Sequence, residues 1–336
     1  MTFQPSFVQQ DDEAALAARA AWLHFAGGKT QGEVAAILGI QNTKAHRLIA
    51  RARSEGLIRV FVEGPIAGCI ALEENLKSRF KLTHCEVVPN IDDGELPLRT
   101  LGMAGARYLR GVIESGRHKI IGLGHGRTLS AAIDQLPQVD ASAMKFVSLL
   151  GGLTRRLSAS PFDVIHRLAE RTGADAYIMP VPFFANNKKD REVLESQFGV
   201  AHVIAMARDA SLYFAGIGEV DPKSFIATGG MIDENAIAHV RKAGAVAEIL
   251  GHFFKAGGTH QPNAVSDRAL APRIEDLRSH EIVALAGGTS KIKAVRAVLA
   301  SGLLSGLITD ETSARRLIKE SSAQAAGRKN GRTATG

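Results

Sequence analysis

Apolar positions recur at helical spacing at the start of the chain. Leu16, Ala20 and Leu23 lie at i, i+4 and i+7, one apolar face of a helix, and Gly27-Gly28 ends it. Thr30 with Glu33 three residues on has the form of a capping box. It opens a second helix whose apolar stripe is Val34, Ile37 and Leu38, closed by Gly39. A third helix begins at Gln41 or Asn42, turns Ala45, Leu48, Ile49 and Ala52 inward, and stops at Gly56. The run Leu57-Ile58-Arg59-Val60-Phe61-Val62 predicts a short β segment. Glu63-Gly64-Pro65 breaks the pattern, and Ile70, Leu72, Leu76 and Phe80 predict a connecting helix over 65–80.

From Cys85 the rhythm changes. The apolar runs CEVVP, KIIGLG, MKFVSLLG, AYIMPVP, LYFAGIG and IVALAGG alternate with stretches that predict helices near 97–115, 128–136, 161–173, 189–196, 233–243 and 289–301. Alternation of this kind predicts a parallel or mostly parallel sheet wrapped by helices. The fold class is therefore α/β: an all-α N-terminal helix-turn-helix with a short β segment, then a Rossmann-like domain. The boundaries read as 1–63 for the first domain, 64–84 for a linker helix, 85–320 for the larger domain and 321–336 for a disordered basic tail. The 336 residues suit two domains.

Two short helices joined at Gly39 fit a helix-turn-helix, because glycine takes positive φ without a Cβ penalty and Ala35 is small where the helices cross. The outward positions of the third helix are Gln41, Asn42, Thr43, His46, Arg47 and Ala50. Amides, a hydroxyl, an imidazole and a guanidinium are groups that read base edges in the major groove. Lys44, Arg51 and Arg53 are assigned to phosphates. From Lys29 to Arg59 six basic residues face two acidic ones, a density suited to a nucleic-acid backbone; the overall charge of +7 is mild for the length. One such module buries too little surface for specific binding, so a dimer or higher oligomer is expected.

Glycine-rich turns follow four of the strands. Gly122-Leu-Gly124-His125-Gly126-Arg127-Thr128 opens a helix whose N-terminal amides suit an anion. Gly151-Gly152, Gly216-Ile-Gly218-Glu-Val-Asp221 and Gly287-Gly288 follow others, with Lys291 just inside the next helix, where it reaches a phosphate as a point charge. Ligands of such sheets sit at the carboxyl ends of strands. The combination points to a small anionic or polyhydroxylated ligand. A dinucleotide fingerprint is rejected: the third glycine is misplaced, and MKFVSLLGG ends in glycines where a ribose-binding carboxylate belongs.

Several classes are excluded. No apolar run reaches membrane-spanning length, and MTFQPSFVQQDDE has no secretory-signal pattern. Cys69 and Cys85 read as reduced, buried thiols, which places the protein in the cytoplasm. The histidines show no metal-ligand spacing, so neither a metal nor a catalytic cofactor is expected, and no G-x-S-x-G nucleophile motif is present.

On the segments GKTQGEVAAILGI, GLGHGRTLSAAI, SLLGGLTRR, RLAERTGADAYIMPVPFFANN, FAGIGEVDPKSF, EILGHFF and ALAGGTSKIKAVRAVLASGLLSGLITDETSARRLI, the chain resembles the SorC family of bacterial sugar-responsive regulators from about Ala14 to Lys319. The resemblance implies operator DNA as partner, an effector domain similar to sugar-phosphate isomerases and deaminases, a tetramer, and a phosphorylated sugar or polyol as effector. It implies that Gly124, Gly126 and Thr128 form the phosphate loop, that Lys291 faces the same group, and that Gly151, Gly152, Gly216, Gly218 and Asp221 surround the sugar. His125 stands where the family often has Trp. MPVPFFANN is closest to the branch linked to erythritol and similar polyols. The alternative, an enzyme of the isomerase or deaminase class, needs an Asp-Gly-His group; GIGEVDPKSF offers Glu219 and Asp221 without the imidazole, a poor proton shuttle, and His252 in EILGHFF reads as a packed histidine.

Overall fold

The computed structural model describes residues 7–55, 57–58, 67–90, 95–152, 164–222 and 224–320. The chain divides into two compact units, Met1–Val62 and Glu63–Gly336.

In the first unit, α1 (Phe7–Ala21) runs into one wide turn, Trp22–Ala26, before α2 (Gln31–Leu38) and α3 (Asn42–Ser54). The core is built largely from alanine: Ala17, Ala20, Ala21, Ala35, Ala45 and Ala52 are buried around Val34, Leu48 and Ile49. Such small side chains let the helices approach closely without leaving voids. Thr30 and Glu33 form the capping box in full, the Thr30 amide donating to Glu33 Oε2 at 2.8 Å and the Glu33 amide to Thr30 Oγ1 at 3.3 Å. Gly39 takes φ +63°, the Ile40 amide donates to the Ala35 carbonyl at 3.0 Å and the Gly39 amide to that of Ala36 at 3.3 Å. This is a Schellman closure, and it turns the chain sharply into α3.

Two expectations need correction. Ile37 is 52% exposed, and Ala35 takes the buried place beside Val34 and the half-buried Leu38. At ~100° per residue, the arc centred on Val34, Ala35 and Leu38 leaves Ile37 on the flank. Helix α1 also begins earlier than its apolar stripe, at Phe7. The expected β segment over 57–62 shows no strand at Leu57 and Ile58, and its remainder lies outside the described residues, as do Gly56 and the tail 321–336.

The second unit opens with α4 (Ala67–Phe80). Its main sheet has seven parallel strands: β1 (His84–Val88), β2 (Ile120–Leu123), β3 (Lys145–Gly152), β4 (Asp175–Pro182), β5 (Leu212–Ala215), β9 (Glu281–Leu285) and β10 (Gly306–Asp310). They are ordered β1-β10-β9-β5-β2-β3-β4, and every pairing is parallel. Helices α5 (Leu98–Ser115) and α6 (Arg127–Gln135) are among those that cross between strands. The interior strands are apolar on both faces, as burial under helices on either side requires. At the outer strand β1, the Val87 amide donates to Glu73 Oε1 of α4 at 2.9 Å, which satisfies an edge amide.

Sequence periodicity missed two features. Strand β10 is short and runs into Thr309-Asp310, so GLITD did not stand out. The second is an antiparallel sheet of β6 (Gly218–Glu219), β7 (Ala245–Ile249) and β8 (His252–Lys255). Its hairpin turns through Leu250 (φ +49°) and Gly251 (φ +81°). A two-residue turn with both φ positive normally carries Asn-Gly, and a leucine there hides the signal.

Loss of the capping hydroxyl in Thr30→Ala is expected to cost about 1 kcal/mol. Hydrogen exchange on the full chain would read this as roughly fivefold faster exchange of the amides in 31–38. Unchanged exchange there would show that the cap does not hold α2.

Candidate functional site

At the carboxyl ends of the adjacent strands β2, β5 and β9 the chain leaves the sheet through glycine turns, and a cleft with about 610 Å³ of empty space opens between them. The β7–β8 hairpin forms one wall, contributing Glu248 and Leu250.

The floor carries a buried cation. Lys291 is 8% exposed, and its Nζ donates to the Ile217 carbonyl at 2.7 Å. Among the described residues that is the ammonium's one hydrogen bond, so two of its three N–H groups remain for a ligand. Burial lowers the Lys291 pKa, Glu219 and Glu248 oppose this, and Arg127 adds to it. The loop before the lysine is clamped. The Gly288 amide donates to Asp310 Oδ2 at 2.7 Å and to Ser313 Oγ at 2.9 Å, and Ser313 Oγ donates to Asp310 Oδ2 at 2.6 Å. A Cβ on Gly287 would lie 2.3 Å from Asp310 Oδ2, so only glycine fits.

Opposite charge stands close by. Burial pushes the Glu248 carboxyl up to about 7, against the lowering effect of the Gly251 amide and Lys291. Glu248 Oε1 accepts from that amide at 2.7 Å, which holds the strained Leu250-Gly251 turn in place. Glu219 Oε1 accepts from Ser290 Oγ at 2.7 Å.

The loop after β2 forms the remaining wall. Gly126 caps α6 at φ +128°, a conformation reserved for glycine, and turns the first amides of that helix outward. Thr128 Oγ1 donates to the Leu285 carbonyl at 2.9 Å, so its proton ties the loop to β9 and its oxygen is left to accept. His125 Nε2 lies 3.0 Å from Ser148 Oγ. Ser148 spends its single proton on the Leu150 carbonyl at 2.8 Å, so the imidazole is the donor at Nε2 and its Nδ1 is the ring's acceptor.

Of the residues selected from sequence, Gly124, His125, Gly126, Arg127, Thr128, Gly216, Gly218 and Lys291 line this one cleft. Three lie elsewhere. Gly151 is a packing glycine whose Cβ would fall 2.5 Å from the Pro182 carbonyl oxygen. Gly152 lines the cavity beyond His125, and Asp221 lines a flanking groove, paired with Arg241 at 3.5 Å. Glu248 was not anticipated. Its signal was a lone carboxylate inside the apolar strand AVAEI, and Gly218 gives it room, since a Cβ there would sit 2.8 Å from Glu248 Oε2.

In the first unit, Gln41 at the N-cap of α3 and Asn42, Thr43, Lys44, His46 and Arg47 on it are all exposed. His46 Nδ1 lies 3.3 Å from Gln31 Oε1, and Arg47 lies 3.6 Å from Glu13 with its side chain 71% exposed. Arg51 is engaged within the unit. Its guanidinium bonds Glu13 at 2.9 Å and Glu55 at 2.6 Å, and the Glu13 bond ties α3 to α1. Among the described residues no cluster of three metal-ligating side chains occurs, and no helix is long and apolar enough to cross a membrane.

The Sugar-bind family model, a sugar-binding domain, matches residues 64–319. The erythritol catabolism regulatory protein EryD of Brucella abortus is 51% identical over 308 residues, which span 92% of this chain and 98% of that protein. The chain belongs to the SorC family of sugar-binding transcriptional regulators. The transcriptional regulator LsrR of an Enterobacter species is 30% identical over 311 residues, 91% of this chain and 93% of that one. The full-length sorbitol operon regulator SorC from Klebsiella pneumoniae shares the fold at a TM-score of 0.67 and 22% identity, covering 91% of this chain and 99% of that structure. A DeoR family transcriptional regulator from Listeria monocytogenes matches with a TM-score of 0.68 at 21% identity, over 74% and 99% of the two chains. The functional class of this SorC-family protein is thus a sugar-responsive regulator of transcription.

The raised Glu248 pKa makes stability depend on pH. The folded protein keeps a proton that the unfolded chain releases near the usual 4.5. Between about pH 5 and 7 this regulator should therefore lose stability as pH rises, by up to ~1.4 kcal/mol per pH unit from this group. Urea midpoints of wild type and Glu248→Gln should diverge over that window; parallel curves would contradict the assignment.

Proposed function

We propose that this protein binds operator DNA through a helix-turn-helix formed by α2 and α3, and that a phosphorylated polyol or sugar in the second-unit cleft sets its operator affinity. The observation that supports the effector class is the Lys291 ammonium, buried in the cleft floor with two N–H groups uncommitted. A buried cation next to helix-terminal amides pays its desolvation cost when an anion arrives. Glu248, Glu219 and the His125 imidazole surround that point with groups suited to hydroxyls. The 51% identical relative is named for erythritol catabolism, which favours a four-carbon polyol skeleton.

On the DNA side, Asn42, Thr43, His46 and Arg47 face base edges, with Gln41 at the entry of the helix. Lys44 and Arg53 meet phosphates, and Arg51 fixes the angle of α3 through Glu13. The active species is a dimer or tetramer, because one such helix reads only a half-site. The effector acts by population shift, closing the glycine loops on itself and favouring one arrangement of the oligomer. The protein works in the cytoplasm without a catalytic cofactor.

Arg47→Ala is expected to weaken operator binding about 5- to 150-fold, the value of one good base or phosphate contact, in fluorescence anisotropy at fixed salt. Unchanged affinity would remove Arg47 from the interface. Saturating erythritol 4-phosphate should stabilise wild type by about 2.7 kcal/mol at a hundredfold excess over Kd. In Lys291→Met the thermal shift should vanish; an undiminished shift would remove Lys291 from the site.

A further inference from the structure

The cleft is not alone at the ends of these strands. A second cavity, with about 1220 Å³ of empty space, lies beside it; Ile165 and the β4 residues Ile178 and Met179 line it together with Phe184, and Ser148, Asn186 and Asp190 add polar groups. Among the described residues, only His125 and Leu150 line both spaces. Leu150 belongs to β3 and is fixed by the sheet. His125 reaches the boundary from a glycine-flanked loop, and its ring is pinned: Nε2 donates to Ser148 Oγ at 3.0 Å, and the buried Ser148 is itself anchored to the Leu150 carbonyl. A glycine on each side leaves nothing but the ring to fill that point of the wall.

We propose that the His125 imidazole is a partition that sets the length of the effector. The inference rests on the effector reading above, with the phosphate at Lys291 and the carbon chain running toward His125. A short polyol phosphate ends at the imidazole. A longer one must displace a ring held by a buried serine, and breaking that hydrogen bond costs affinity. Removing the ring joins the two spaces and leaves Ser148 with its bond to Leu150, so the fold keeps its buried hydrogen bond. Replacing it with phenylalanine keeps the bulk and loses the ring nitrogens.

The test is isothermal titration of the full chain with erythritol 4-phosphate, ribitol 5-phosphate and sorbitol 6-phosphate, on wild type, His125→Ala and His125→Phe. Wild type should lose about tenfold or more in affinity with each added carbon, the scale on which a binding wall rejects one extra carbon unit. His125→Ala should compress the spread across the series to about threefold, and His125→Phe should keep the wild-type order. Equal binding of all three probes by wild type, a wild-type spread retained in His125→Ala, or a spread lost in His125→Phe would each overturn the partition while leaving the effector reading in place. A wild type that binds none of the probes would overturn the effector reading, and the partition with it.

Discussion

A lysine ammonium removed from water at the floor of a cleft is costly unless something compensates it. Lys291 has one carbonyl, two nearby carboxylates and a position beneath three strand ends, and most of the site geometry follows from holding it there. Gly287 and Gly288 let the loop pass against Asp310, and Asp310 with Ser313 fixes the Gly288 amide. Glu248 is kept buried with its proton affinity raised, and it holds the tight turn that walls the cleft. The cleft presents an ammonium with two N–H groups uncommitted, the arrangement from which the anionic effector was proposed.

The clamp on the lysine loop also connects to the edge of the sheet. Asp310 ends β10 in register with Val88 of β1, and the neighbouring Val87 amide is held by Glu73 of α4, the first described helix of the second unit. Asn90 and Thr312 add a second tie, with Asn90 Nδ2 donating to Thr312 Oγ1 at 2.6 Å. The lysine loop and helix α4 are therefore joined by backbone pairing and side-chain hydrogen bonds, a physical connection through which the proposed coupling could run.

Local signals carried much of this. The capping box, the Gly39 turn and the buried face Ala45, Leu48, Ile49 and Ala52 were legible because each depends on residues a few positions apart. The alternation of apolar runs and amphipathic stretches gave six of the seven parallel strands, and glycine turns gave eight of the residues that share the cleft. What escaped depends on contacts distant in sequence. Strand β10 earns its place only by lying between β1 and β9. Gly151 reads like a ligand-loop glycine until the carbonyl of Pro182 is seen against it. The tie from Arg51 to Glu13, far back on α1, has no local signal either. Glu248 enters the site through a hairpin whose turn residue, Leu250, disguises it.

The central claim is that occupation of the Lys291 cleft changes how the α3 surface holds DNA. Fluorescence anisotropy of the operator, titrated with wild-type protein at constant salt with and without saturating erythritol 4-phosphate, measures this directly. A coupling of about 1–3 kcal/mol, a change in operator affinity of roughly 5- to 150-fold in either direction, is predicted. Operator affinity that stays the same while the compound is shown to be bound would contradict it.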